Sequence, residues 1–142
     1  METTDKIKIT VEVTVKASVD KVWDLWTSPA HITKWNQASD DWHTPSAQND
    51  LHPRGKFLYR MEARDGSSGI NFWGVYDEIK KNHLIAYTTG DGRKVKITFT
   101  RIGAETKVVE IFEAESTNPP EMQRQGWQAI LESFKKHAEA NS

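Results

Sequence analysis

Between Lys56 and Ala114 the chain reverses four times, and two turn-forming residues mark each reversal: Asp65-Gly66, Lys81-Asn82, Asp91-Gly92 and Gly103-Ala104. The runs between them alternate. Lys56–Ala63 places Phe57, Tyr59 and Met61 on one face. Ile70–Ile79 places Phe72, Gly74 and Tyr76 on one face and Trp73 and Val75 on the other. His83–Thr89 follows, then a run with Val95, Ile97 and Phe99 in phase, then Thr106–Ala114. A period of two is the signature of a strand whose side chains point alternately up and down. Aspartate–glycine pairs favour tight hairpins, and turns this short cannot carry the crossover that parallel strands need. The segment therefore predicts an antiparallel meander.

The flanks add the rest. Lys6–Val15 alternates with Ile7, Ile9, Val11, Val13 and Val15 on one face, a half-buried strand. Ser18 is placed to cap a short helix with Val19, Val22, Trp23 and Trp26 at helical spacing. Ser28-Pro29 then signals a second short helix carrying Ile32 and Trp35. Residues 36–55 are polar and broken by Pro45 and Pro53. They predict a loop, with room for a short edge strand around Trp42 and His43. Pro119-Pro120 closes the strand region. From Glu121 to Ala140, Trp127, Ile130, Leu131, Phe134 and Ala138 recur at steps of three and four, the stripe of a long amphipathic helix. The expected class is α+β. With 142 residues and no repeat, linker or low-complexity tract, residues 1–142 are expected to form one domain.

A formal net charge of -1 with 27% charged residues gives no reason to expect nucleic acid or an anionic membrane as partner. Without cysteine there is no disulfide, thiolate nucleophile or cysteine–zinc site. The N-terminus lacks an apolar signal core, and no run is long enough to span a bilayer. A soluble, cytoplasmic protein is the expectation. Six tryptophans in so short a chain carry large apolar area of the kind that walls a cavity.

The segments "VWDLWTSPAHITKWN", "GKFLYRMEARDG" followed by "WGVYDEI", and "GWQAILESFKKH" resemble the family named for the activator of heat shock protein 90 ATPase, in its single-domain bacterial branch. The likeness runs from about Lys6 to His137. It implies a START-like helix-grip fold: a curved antiparallel sheet of six to seven strands, two short helices after the first strand, and a long C-terminal helix packed on the sheet over a cavity.

That resemblance implies a set of ligand-facing residues. The strands offer Phe57, Tyr59, Met61, Phe72, Tyr76, Val95, Ile97 and Phe99. The last helix offers Met122, Gly126, Ala129, Ile130 and Ser133. Trp35 and Trp42 fall where the fold has a lid and rim, with His43 as a polar rim group; Asp40 and Asp41 read as bracing the loop. The plainer reading is that the apolar residues fill a closed core and that Gly126 lets helix and sheet approach. Glu110 is the main polar candidate. It faces inward if Val108 and Phe112 do, and water if Val109 and Ile111 are the inner pair; the strand is apolar on both faces, so both stand. Arg60 and Glu62 are out of phase with the apolar face and read as a solvated charge set. Trp73, also out of phase, reads either as an outward dimer contact or as packed under Trp42 or an edge loop.

No nucleophile elbow, phosphate-cradling glycine loop or dinucleotide fingerprint occurs, so no catalytic residue and no cofactor are assigned. His31, His43, Asp50 and His52 match no ligand spacing, and no metal is assigned. Three functions follow as expectations. The first is binding of a small hydrophobic molecule, aromatic or lipid-like. The second is a polyketide cyclase- or hydrolase-type enzyme using Glu110, Tyr59 or His43 as acid–base. The third is a co-chaperone for the heat-shock ATPase, which the family name suggests. The proteins behind that name carry an additional N-terminal domain, whereas this chain starts at the first strand. A protein partner has no other support.

Overall fold

The computed structural model describes residues 7–141; Met1–Lys6, including the first residue of the expected first strand, lie outside the described residues. The strands are β1 (Lys8–Val15), β2 (Trp42–Asn49), β3 (Lys56–Ala63), β4 (Gly69–Lys80), β5 (Leu84–Thr89), β6 (Lys94–Ile102) and β7 (Glu105–Glu113). The helices are α1 (Val19–Thr27), α2 (Pro29–Trp35) and α3 (Pro120–Ala140). The strands form one antiparallel seven-stranded sheet in the order β1-β7-β6-β5-β4-β3-β2. Strands β2 to β7 are the meander, extended by one strand. β1 joins at the far side, so α1 and α2 must carry the chain from one edge of the sheet to the other. This is the helix-grip fold.

The turns obey their residues. Gly66 and Gly92 have φ of +78° and +90°, a backbone region closed to most side chains. Ser18 caps α1 by accepting from the Lys21 amide. Ser28 precedes Pro29 at the start of α2, but its hydroxyl makes no capping bond; the proline alone sets the helix start.

Two local expectations are corrected. The stretch read as mostly loop contains all of β2, eight residues long. β2 is an edge strand, and its pairing with β3 shifts between His43 and Ser46, where Pro45 sits. A bulge at the sheet edge removes the need for the amide that proline lacks, which is how the strand escapes its own breaker. Ile7 precedes β1 and is exposed rather than sharing the buried face of Ile9, Val11, Val13 and Val15.

α3 lies along the other edge. Gln128 and Lys135 donate side-chain hydrogen bonds, each of 3.0 Å, to the Glu12 and Thr14 carbonyls of β1. Edge carbonyls left open would invite another strand; here the helix covers them. Leu131, Phe134 and Ala138 bury the helix into the core. At that end the core is filled by edge-on rings: Phe99 against Trp23 (5.2 Å) and Trp26 (5.9 Å), and Phe134 against Trp26 (4.8 Å) and Trp35 (5.0 Å). Among the described residues no helix is long and apolar enough to cross a membrane.

Candidate functional site: an aromatic cavity with one unpaired carboxyl

Toward the other end of α3 the packing opens into a cavity of about 240 Å³ between the helix and the sheet. Its walls follow from strand phase. Phe57 and Tyr59 of β3, Phe72 and Tyr76 of β4, Ile85 and Tyr87 of β5, and Ile97 of β6 are inward residues of successive strands. Trp26 and Trp35 close the end nearest α1 and α2, beside Asn36. The Trp35 indole donates to the Leu25 carbonyl at 3.0 Å, which fixes its ring. Gln123, Trp127 and Ile130 form the α3 wall. Met61 and Ile70 also line the cavity, and Ile70 is 50% exposed, so this side holds the mouth.

The rings brace one another. Phe57 stands 4.7 Å from Tyr87 and 5.1 Å from Tyr59, centroid to centroid. It lies over Gly74, where a Cβ would come within 2.9 Å of the ring. Trp127 stacks flat on Phe112.

Glu110 faces this space. β1 and β7 pair Ile9 with Phe112, Val11 with Glu110 and Val13 with Val108, so the buried face of β1 dictates the inner face of β7. Glu110 is 5% exposed, while Ile111 is 36% exposed. This resolves the question its strand left open. Among the described residues no hydrogen bond or ion pair reaches the Glu110 carboxyl. Burial pushes its pKa up to about 8. Burial also raises the tyrosines, Tyr59 and Tyr87 the more so for the neighbouring Glu110 charge. Tyr59 and Tyr76 are neighbours on the inner face, and each feels the other. Tyr76 in turn donates to Asn49, whose amide donates to the Thr27 carbonyl at 2.8 Å. That relay anchors the Tyr76 phenol and leaves Tyr59 and Tyr87 beside Glu110.

Charged groups at the rim are committed elsewhere. The Arg93 guanidinium holds both Asp91 oxygens, at 2.9 and 3.1 Å, and also donates to the Glu113 carbonyl. Glu115 accepts from Asn118. Gln123 fastens the segment between β7 and α3, accepting from the Glu115 amide and donating to the Glu115 and Asn118 carbonyls.

Of the residues singled out in the sequence, Trp35, Phe57, Tyr59, Met61, Phe72, Tyr76, Ile97, Glu110 and Ile130 meet around the cavity. The others lie elsewhere. Phe99 is sealed in the filled end of the core, and Val95 is buried without lining the cavity. Met122 is 58% exposed. Ala129 and Ser133 face a surface hollow between α3 and the exit of α2, where the Ser133 hydroxyl donates to the Trp35 carbonyl at 2.8 Å. Gly126 does not line the cavity, and a Cβ there would meet nothing within 4 Å, so close approach to the sheet is not its reason. Trp42 and His43 lie on β2 away from the cavity; His43 sits 4.0 Å from Glu62. Asp40 and Asp41 brace the loop through backbone carbonyls, which accept from Arg64. His31 meets His137, and His52 pairs with Asp50. Arg60 pairs with Glu62 along β3 and reaches Asn71 across to β4. Trp73 is on the convex face, laid over Gly90 with the Lys56 ammonium 5.9 Å from its ring.

Sequence reasoning missed Trp26, Tyr87, Trp127, Gln123 and Arg93 as site residues. For Tyr87 the signal was present: Ile85, Tyr87 and Thr89 alternate on β5. For Trp127 it was masked, because its stripe read as one core face.

The family model "Activator of Hsp90 ATPase homolog 1-like protein" matches residues 16–139. Among curated proteins none matches the chain. Among solved structures, Chr148 from Cytophaga hutchinsonii is 59% identical, with TM-score 0.81, covering 94% of this chain and 93% of that one. The AHSA1-like protein from Aeromonas hydrophila is 37% identical, with TM-score 0.90, covering 95% and 94%. CV1439 from Chromobacterium violaceum shares the fold at TM-score 0.82 with 19% identity, over 94% and 98%.

Proposed function

The chain belongs to the activator of Hsp90 ATPase homolog 1-like family, and from that premise we propose that it binds a small hydrophobic molecule, aromatic or lipid-like, in the cavity between α3 and the sheet. The observation that carries this is the cavity itself: about 240 Å³ of space walled by aromatic rings, with a buried carboxyl that the protein leaves unpaired. Apolar walls with a few fixed polar groups are the usual make-up of a small-molecule site. A core that only needed filling would place an apolar side chain at position 110, since a buried lone carboxyl costs stability. The test is a panel of hydrophobic ligands followed by amide chemical-shift mapping. Shifts clustering on β3, β4, β5 and the 123–130 stretch of α3 support the reading. Shifts that are absent, or scattered over the convex face around Trp73, refute it.

One observation favours a second reading, an enzyme of the cyclase or hydrolase type. A carboxyl with pKa about 8 exchanges protons near neutrality, as a general acid or base must. With Tyr59 and Tyr87 beside it, Glu110 is the residue to carry that chemistry. Turnover unchanged in Glu110→Gln removes Glu110 from any such mechanism.

A further inference from the structure

The identity of the unpaired group narrows the ligand, given the binding reading above. A neutral apolar ligand needs at most a hydroxyl or an amide to orient it, and the cavity already offers the Tyr87 hydroxyl. What a carboxylate adds is charge, and keeping one at 5% exposure without a partner is costly unless something cationic completes it. The formal charges on the wall do not cancel it. Arg93 engages both Asp91 oxygens through its Nε, and Glu115 adds a second acidic group at the rim that offsets it. The rings act in the same direction: the faces of tyrosine, phenylalanine and tryptophan attract cations, most strongly where water is excluded. Charge and aromatic walls are independent features, and both select the same ligand.

We propose that the cavity takes an organic cation, an apolar or aromatic amine whose ammonium group lies against the Glu110 carboxylate between Tyr59 and Tyr87. The volume, 240 Å³, equals that of roughly eight waters in the liquid, room for one ring and a short chain. The titratable groups around Glu110 are Tyr59, Tyr76 and Tyr87 from β3, β4 and β5, Arg93 from the β5–β6 turn, and Glu115 after β7; α1, α2 and α3 contribute only Trp26, Trp35, Asn36, Gln123, Trp127 and Ile130. The phenols stay protonated because burial raises them. Before binding, the Glu110 carboxyl holds its proton at neutral pH. An ammonium ion arriving with its full complement of protons displaces that proton to solvent, so binding releases one proton and leaves an ammonium–carboxylate pair.

Three matched probes test this by titration calorimetry at pH 7: phenethylammonium, the neutral 2-phenylethanol and the anionic phenylacetate. The expected result is that the cation binds at least tenfold more tightly than the alcohol and the anion most weakly. In Glu110→Gln the preference for the cation over the alcohol collapses to within about twofold. The wild-type protein supplies a readout that does not depend on the variant folding: heats measured in phosphate and in Tris differ by the ionisation of one proton for the amine and not for the alcohol. Equal affinity for amine and alcohol, or a cation preference that survives in Glu110→Gln, overturns the charge assignment and leaves the binding reading standing. If none of the three binds at millimolar concentration, both readings fall.

Discussion

The indole of Trp127 lies flat on the ring of Phe112, centroids 3.9 Å apart and planes 11° from parallel. Phe112 is fully buried on β7, two residues from Glu110 on the same face. The stack therefore fixes the distance between α3 and the sheet beside the carboxyl. A large ring in a stacked pair contributes area burial and a geometric preference together. Trp127→Ala is expected to lower stability by about 2–4 kcal/mol, measured as a shifted urea midpoint. It should also widen the cavity, since Trp127 is part of its wall. An unchanged midpoint would show that the helix is held without this contact.

Glu110 makes stability depend on pH in an unusual direction. Its pKa is raised in the folded protein to about 8, from an ordinary 4.5 in the unfolded chain. Between those values the folded state holds more protons than the unfolded one. Stability is then full below about pH 4.5 as far as this group is concerned, and falls as pH rises through about 8. At about 1.4 kcal/mol per pH unit, the loss across the window is on the order of 5 kcal/mol. Glu110→Gln keeps the size and removes the charge. It should be more stable than wild type at pH 9, with the difference shrinking toward pH 5. Thermal melts over that range decide it; parallel curves would place the Glu110 carboxyl in water.

The contrast between β1 and β7 shows how far the sequence was legible. β1 alternates strictly, so its buried face could be read directly. β7 is apolar on both faces, and its inner face is set by pairing with β1, a contact about a hundred residues away along the chain that no local pattern carries. The α3 wall failed for a related reason. Helix period finds a stripe but not its rotation to the nearest side chain: Ile130 reaches the cavity as expected, but Leu131, Phe134 and Ala138 turn Gln123 and Trp127 to it instead of Met122, Gly126, Ala129 and Ser133. Edge strand β2 was hidden because a bulge tolerates Pro45. The meander, both short helices and the aromatic character of the cavity were all readable, because each rests on local alternation or capping.

His31 and His137 tie α2 to α3 through a ring-nitrogen contact of 2.9 Å, Nδ1 to Nε2. One imidazole must donate and the other accept, so at least one of them is neutral. Burial, His31 and the nearby Lys34 all hold the pKa of His137 below its ordinary value. With the folded value depressed, stability from this contact is present above about pH 6.5 and is lost as pH falls through the folded value. In an imidazole NMR titration His137 should titrate below the ordinary histidine range, and His31→Ala should move it upward. A His137 titration that ignores the loss of His31 would break the link between the two.

Gly126 is the one glycine of α3, and its neighbourhood is empty: a Cβ built there meets no heavy atom within 4 Å. A helix-interior glycine carries extra backbone freedom in the unfolded chain, worth about 1 kcal/mol against alanine. Since the methyl group displaces nothing, Gly126→Ala should recover most of that and raise the unfolding midpoint. The cavity should be unaffected, because its α3 wall is built by Gln123, Trp127 and Ile130. Ligand affinity measured on the same variant separates the two roles. Stabilised and binding normally, the protein treats position 126 as mere helix. A stabilised variant that loses affinity would show that the open space over Gly126 is part of the volume a bound ligand occupies.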